Sequence, residues 1–90
     1  MKKNNYKILL SKVAIEDRKK LYECGLIDKC NNLLEKMSDN PFYYPPSYEK
    51  LVGDLKGYYS RRINRQHRII YSVLDNKKEI HIIRMWTHYE

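Results

Sequence analysis

Apolar residues recur along this chain in two rhythms. Positions 6–10 (Tyr-Lys-Ile-Leu-Leu) form a short run that predicts a first strand. Ser11 then offers a helix cap, because its hydroxyl can accept a bond from an otherwise unpaired amide. From Lys12 the rhythm turns helical, with Val13, Ala14, Asp17, Leu21 and Cys24 on or near one stripe. Gly25 suits the left-handed position that closes such a helix. Leu26, Ile27, Cys30, Leu33, Leu34 and Met37 follow at three- and four-residue steps, leaving Asp28, Lys29, Asn31, Glu35 and Lys36 to solvent. So short a connection predicts an antiparallel helix pair.

Asp39-Asn40-Pro41 ends the second helix, since proline disfavours helical geometry in the residue before it. Residues 41–57 read as an irregular, Pro- and Tyr-rich segment, of a length that is uncommon unless it carries a function or packs as a connector. Beyond it the rhythm is that of strands. Residues 58–63 and 67–74 are rich in β-branched and aromatic side chains around a short turn at 64–66. Residues 75–78 form a polar turn, and 79–87 read as a last strand. The expected order is β-α-α-β-β-β: an α+β fold with a helical hairpin on one face of a small, mainly antiparallel sheet. Residues 1–90 make a single domain, with neither repeats nor low-complexity tracts.

Composition narrows the partners. Eighteen Lys+Arg against eleven Asp+Glu give a net charge of +7, a field that attracts polyanions such as RNA, DNA or acidic proteins. Nine tyrosines among those cations suit single-stranded RNA, whose bases can stack on rings, although tyrosine also serves at the edge of a core. The first residues carry too short an apolar run for a signal peptide or membrane anchor, so a cytoplasmic protein without a membrane role is expected. Cys24 and Cys30 have no matching Cys or His framework for zinc and read as reduced core thiols.

The candidate chemistry lies in the C-terminal half. A metal-free ribonuclease needs a base for the ribose 2′-OH, an acid for the departing 5′-oxygen and cations for the charged phosphorane. Arg61, Arg62, Arg65, Arg68 and Arg84 lie on or beside the expected strands. With one sheet face covered by helices, their guanidinium groups are expected on the other, as an arginine-lined surface for phosphates. His67, His81 and His88 titrate nearest neutrality. Alternation along an unbroken last strand would put Arg84, Trp86 and His88 on one face and His81 on the other. Glu49, in Pro-Pro-Ser-Tyr-Glu-Lys-Leu, can be a base, an arginine partner or a solvated side chain.

The stretch EKLVGDLKGYYSRRINRQHRIIYSV, followed by a strand and a final His-Tyr, resembles the YoeB/Txe toxins of RelE-like toxin–antitoxin modules. The matching positions are Glu49 and Leu51, Leu55 through Ile63, His67 through Tyr71, and Arg84 with His88 and Tyr89. The resemblance implies an endoribonuclease that cuts mRNA in the ribosomal A site and so inhibits translation. It further implies Glu49 as general base, His88 as general acid, Arg68 as the cation on the scissile phosphate and Tyr89 as a substrate-orienting or stacking group. Lys56, Arg61 and Arg62 would be supporting RNA contacts. Arg84 stands about two residues further from the His-Tyr pair than in the family pattern, which leaves its role open. The implied partners are a cognate antitoxin, the ribosome and mRNA, with room for a homodimer and with operator DNA reached only through the antitoxin complex. No metal or organic cofactor is implied. The competing reading is a non-enzymatic scaffold of the same topology that binds antitoxin, operator DNA or gyrase.

Overall fold

The computed structural model describes residues 5–44 and 47–86. In order these are β1 (Lys7–Leu10), α1 (Lys12–Glu23), α2 (Ile27–Asp39), β2 (Glu49–Lys50), a 3-10 turn (Gly53–Leu55), β3 (Tyr59–Arg62), β4 (Arg68–Leu74) and β5 (Glu79–Arg84). The local signals act as expected at both ends of α1. Ser11 Oγ accepts from the Ala14 amide at 3.0 Å and donates to the Ile83 carbonyl at 3.0 Å, so the cap also ties the helix to the last strand. Gly25 takes φ +83°, and its neighbour Leu26 donates back to the Leu21 carbonyl at 2.8 Å.

The sheet has five strands in the order β1-β5-β4-β3-β2. β1 runs parallel to β5, and every other pairing is antiparallel. One strand more is present than the hydrophobic rhythm predicts. β2 is only two residues long, and both are polar and exposed, so it presents no alternation to read; pairing with β3 makes it a strand.

The two helices lie against one face. Ala14 and Leu21 of α1 and Cys30 and Met37 of α2 meet Ile69, Tyr71, Ile80 and Ile82 of the central strands, all essentially inaccessible to solvent. Truncating any of the large ones to alanine would cost about 2–5 kcal/mol in lost transfer energy and cavity formation. Two members of the expected α1 stripe fall outside this core: Val13 is 48% exposed, and Cys24 is exposed at the C-cap. The stripe is narrower than predicted because α1 rests only on the β1–β5 side of the sheet and on α2.

The β4–β5 ladder carries an irregularity. Tyr71 faces Ile82 and Ile70 faces Arg84, so Ile83 is an extra residue on β5. The unbroken alternation expected through the last strand is interrupted there, and β5 ends at Arg84.

Candidate active site on the open sheet face

Strand register decides which side chains of the basic half share a face. On β3, Tyr59 and Arg61 lie toward the helices, while Ser60 and Arg62 lie toward the open face. Ser60 pairs across with Glu49 of β2, and Arg62 pairs across with Arg68 of β4. Three strands thereby deliver Glu49, Ser60, Arg62 and Arg68 to one surface.

At its centre Arg68 Nη1 donates to Glu49 Oε1 at 3.1 Å and to Ser60 Oγ at 3.3 Å. The Arg68 side chain is 16% exposed and that of Glu49 is 61% exposed. A guanidinium is thus fixed low against the sheet, with a carboxylate standing above it in water. An ion pair so open to solvent contributes only about 0–1 kcal/mol to stability, so folding alone gives little reason for it. Of the readings left open for Glu49, arginine partner is the one seen. The role remains compatible with proton transfer, because a carboxylate has about four lone-pair positions on its two oxygens. Ser60, 2% exposed, is a site residue that the sequence reading does not include: alternation sets it on the face opposite Arg61, but its meeting with Glu49 depends on the pairing of β2, whose two polar residues do not announce it.

Arg61 departs from expectation. It is 1% exposed, on the helix side of the sheet, and its Nη2 donates to the carbonyls of Pro41 at 3.0 Å and Tyr43 at 3.2 Å. Its guanidinium also lies 4.2 Å from the centre of the Tyr43 ring and 5.2 Å from that of Tyr48. Tyr71 reaches the same Pro41 carbonyl at 3.1 Å, and burial pushes its phenol pKa up. Arg61 therefore pins the irregular segment that leads to Glu49, and no face of it is presented to RNA. The prediction of an outward guanidinium failed because residue 61 has the parity of Tyr59.

Arg84 also turns to structure. Its Nε and Nη2 donate to the two carboxylate oxygens of Asp17 on α1 at 2.8 and 3.3 Å, and the Met85 amide donates to the same carboxylate at 3.0 Å. Burial pushes the Asp17 carboxyl up, but the bonds from Arg84 and the Met85 amide outweigh it, and the net shift is downward. An aspartate on the apolar stripe of α1 was the sequence signal for this clamp.

The remaining predicted residues are dispersed. Lys56 follows the 3-10 turn and is exposed beside Lys50, Val52 and Tyr58. Arg65 is exposed in the β3–β4 turn. His67 is buried and stacks on Trp86 at 3.9 Å between ring centres. His81 bonds Glu79 at 2.9 Å on the open face of β5. His88 and Tyr89 lie outside the described residues. Among the described residues no three His, Cys, Asp or Glu side chains are grouped to hold a metal ion, and no helix is long and apolar enough to cross a membrane.

Comparison with known proteins agrees with this architecture. Residues 14–89 match the family described as YoeB-like toxin of bacterial type II toxin-antitoxin system. Toxin YoeB of Synechocystis sp. is 35% identical over 65 residues, covering 72% of this chain and 73% of that protein. A chain of the heterotetrameric YoeB-YefM toxin-antitoxin complex from Staphylococcus aureus superposes with a TM-score of 0.78 at 38% identity, covering 93% of this chain and 98% of that one. The YoeB dimer from the same organism gives 0.80 at 36% identity, covering 94% and 99%. With a match across nearly its whole length and the same fold, this chain belongs to the YoeB-like toxins of bacterial type II toxin–antitoxin systems.

Proposed function

We propose that this toxin is a ribosome-dependent endoribonuclease, which cuts mRNA in the A site and so stops translation. The observation that carries the reading is the meeting of Glu49, Ser60 and Arg68 on an open, basic face. Glu49 takes the proton of the ribose 2′-OH, and the freed oxygen attacks the adjacent phosphorus. Arg68 neutralises the charge that builds on the non-bridging oxygens of the phosphorane. The P–O5′ bond then breaks, and His88 gives its proton to the leaving oxygen, with Tyr89 orienting the substrate. The products are a 2′,3′-cyclic phosphate and a free 5′-hydroxyl. Arg68 supplies the charge neutralisation that a divalent ion would otherwise provide.

Such an enzyme must be restrained in its own cell, and we assign that task to a cognate antitoxin. The complex formed by the S. aureus relative supports this, as do the exposed side chains of Ile15 and Tyr22, seven residues apart on one side of α1, which a protein partner could cover. Self-association is a second property carried over from the dimeric relative.

The test is primer extension on a message translated in a cell-free extract with wild-type protein and with His88→Ala. The reading predicts codon-positioned cuts with cyclic phosphate ends in the first case and their near loss in the second. Arrest of translation on an intact message would instead favour the non-enzymatic scaffold.

A further inference from the structure

β5 ends at Arg84, which pairs with Ile70 of β4, and Met85 and Trp86 lie beyond this last paired residue. Side chains from elsewhere hold them instead. Asp17 of α1 accepts from Arg84 and from the Met85 amide, and the Met85 side chain is wholly buried. Trp86 lays its indole on the His67 ring, with 3.9 Å between ring centres and 18° between planes. Three consecutive residues are thereby fixed, and His88 follows two positions later in the sequence.

The other half of the stack is placed as firmly. His67 immediately precedes Arg68 and has the parity of Ile69, so it lies on the helix side while Arg68 lies on the open face. Its amide donates to Asn64 Oδ1 at 2.8 Å, and its carbonyl accepts from the Ile63 amide at 2.8 Å. The β3–β4 turn thus sets its backbone. At 8% exposure the ring is too enclosed to meet a substrate. What it does is join the backbone beside Arg68 to the chain just before His88.

We propose that His67 and Trp86 are positioning residues, whose stack holds the chain leading to His88 against the strand that carries Arg68. This rests on the nuclease reading above, in which His88 is the general acid; His88 itself lies outside the described residues. Proton donation demands close placement, because the donor must come within about 2.6–3.2 Å of the leaving oxygen. Catalytic groups reach such precision when their neighbours are locked by packing. Here Asp17 fixes residues 84 and 85 from the side of α1, and His67 fixes residue 86 from the side of β4.

The test is single-turnover cleavage of two ribosome-bound messages that differ in one atom. One has the natural P–O5′ bond at the scissile position. In the other, sulfur replaces that 5′ oxygen, so the leaving group departs as a stable thiolate and needs no proton. His67→Ala should cut the natural message about 100-fold more slowly than wild type, the usual cost of misplacing a catalytic group by ~1 Å. It should cut the sulfur message at the wild-type rate, and Trp86→Ala should behave in the same way. His67→Phe keeps a flat ring against the indole and should match wild type on both. Trp86 is the only tryptophan of the chain, so its emission reports whether each His67 variant retains the stack. His67→Leu takes the place of His67→Ala if the alanine protein melts below the assay temperature. Equal slowing on both messages, undiminished cleavage of the natural message, or His67→Phe as slow as His67→Ala overturns the proposal. His88→Ala tests the reading beneath it. If sulfur fails to restore that variant, the acid assignment itself falls. If sulfur restores His88→Ala but not His67→Ala, the positioning role alone falls.

Discussion

Replacing Asp17 with alanine should destabilise this fold more than any other single change at a polar residue of α1. The Asp17 side chain is 3% exposed and receives bonds from Arg84 Nε, Arg84 Nη2 and the Met85 amide. Removing it strands the Met85 amide, at about 1–3 kcal/mol for a buried donor without a partner. Arg84 is 43% exposed and can turn its charge to water, so the full cost of breaking a buried ion pair does not apply. A total of about 2–3 kcal/mol follows, which in a domain of this size lowers Tm by roughly 10–20 °C. Thermal unfolding at pH 7 followed by circular dichroism reads this directly, and Arg84→Met in a double-mutant cycle isolates the pairwise part. The carboxyl is held below its ordinary value, so its stabilisation is complete above about pH 4 and disappears as pH falls through the lower folded value. Asp17→Asn should therefore flatten that part of the acid limb. An Asp17→Ala protein melting within about 2 °C of wild type would refute the clamp.

Three further outcomes are expected. Arg61→Lys should not restore the stability lost in Arg61→Ala, because an ammonium set where Nη2 meets the Pro41 and Tyr43 carbonyls has no planar guanidinium to lay over the Tyr43 ring; equal melting of Arg61→Lys and wild type would contradict this. A thiol reagent should label native protein at Cys24 and spare Cys30, whose pKa burial pushes up to about 11, with mass spectrometry as the readout. Ser11→Ala should cost about 1–2 kcal/mol in denaturant titration, since the hydroxyl caps α1 and also bonds the Ile83 carbonyl.

Much of the fold was legible because the helices and long strands bury one face each. The stripe of α2, the capping serine and Gly25 all act as their chemistry dictates. β2 was not legible, since a two-residue polar edge strand is created by its partner. The site was readable by residue type and only partly by direction. Glu49 and Arg68 meet, but Arg61 and Arg84 looked like surface cations until register and packing showed the Pro41 and Tyr43 carbonyls and the Asp17 carboxylate waiting for them. A guanidinium on a strand carries no mark of which face it serves. The parity of its neighbours carries that mark, and at Ile83 an extra residue interrupts even the parity.

The central claim is that Glu49 and Arg68 act together on one phosphodiester, and single-turnover cleavage of ribosome-bound mRNA by Glu49→Gln tests it most directly. Losing a general base should slow the cut by roughly 10²–10⁴-fold. Melting should stay near wild type, because the pair is too exposed to hold the fold together. Cleavage by Glu49→Gln at the wild-type rate would contradict the account.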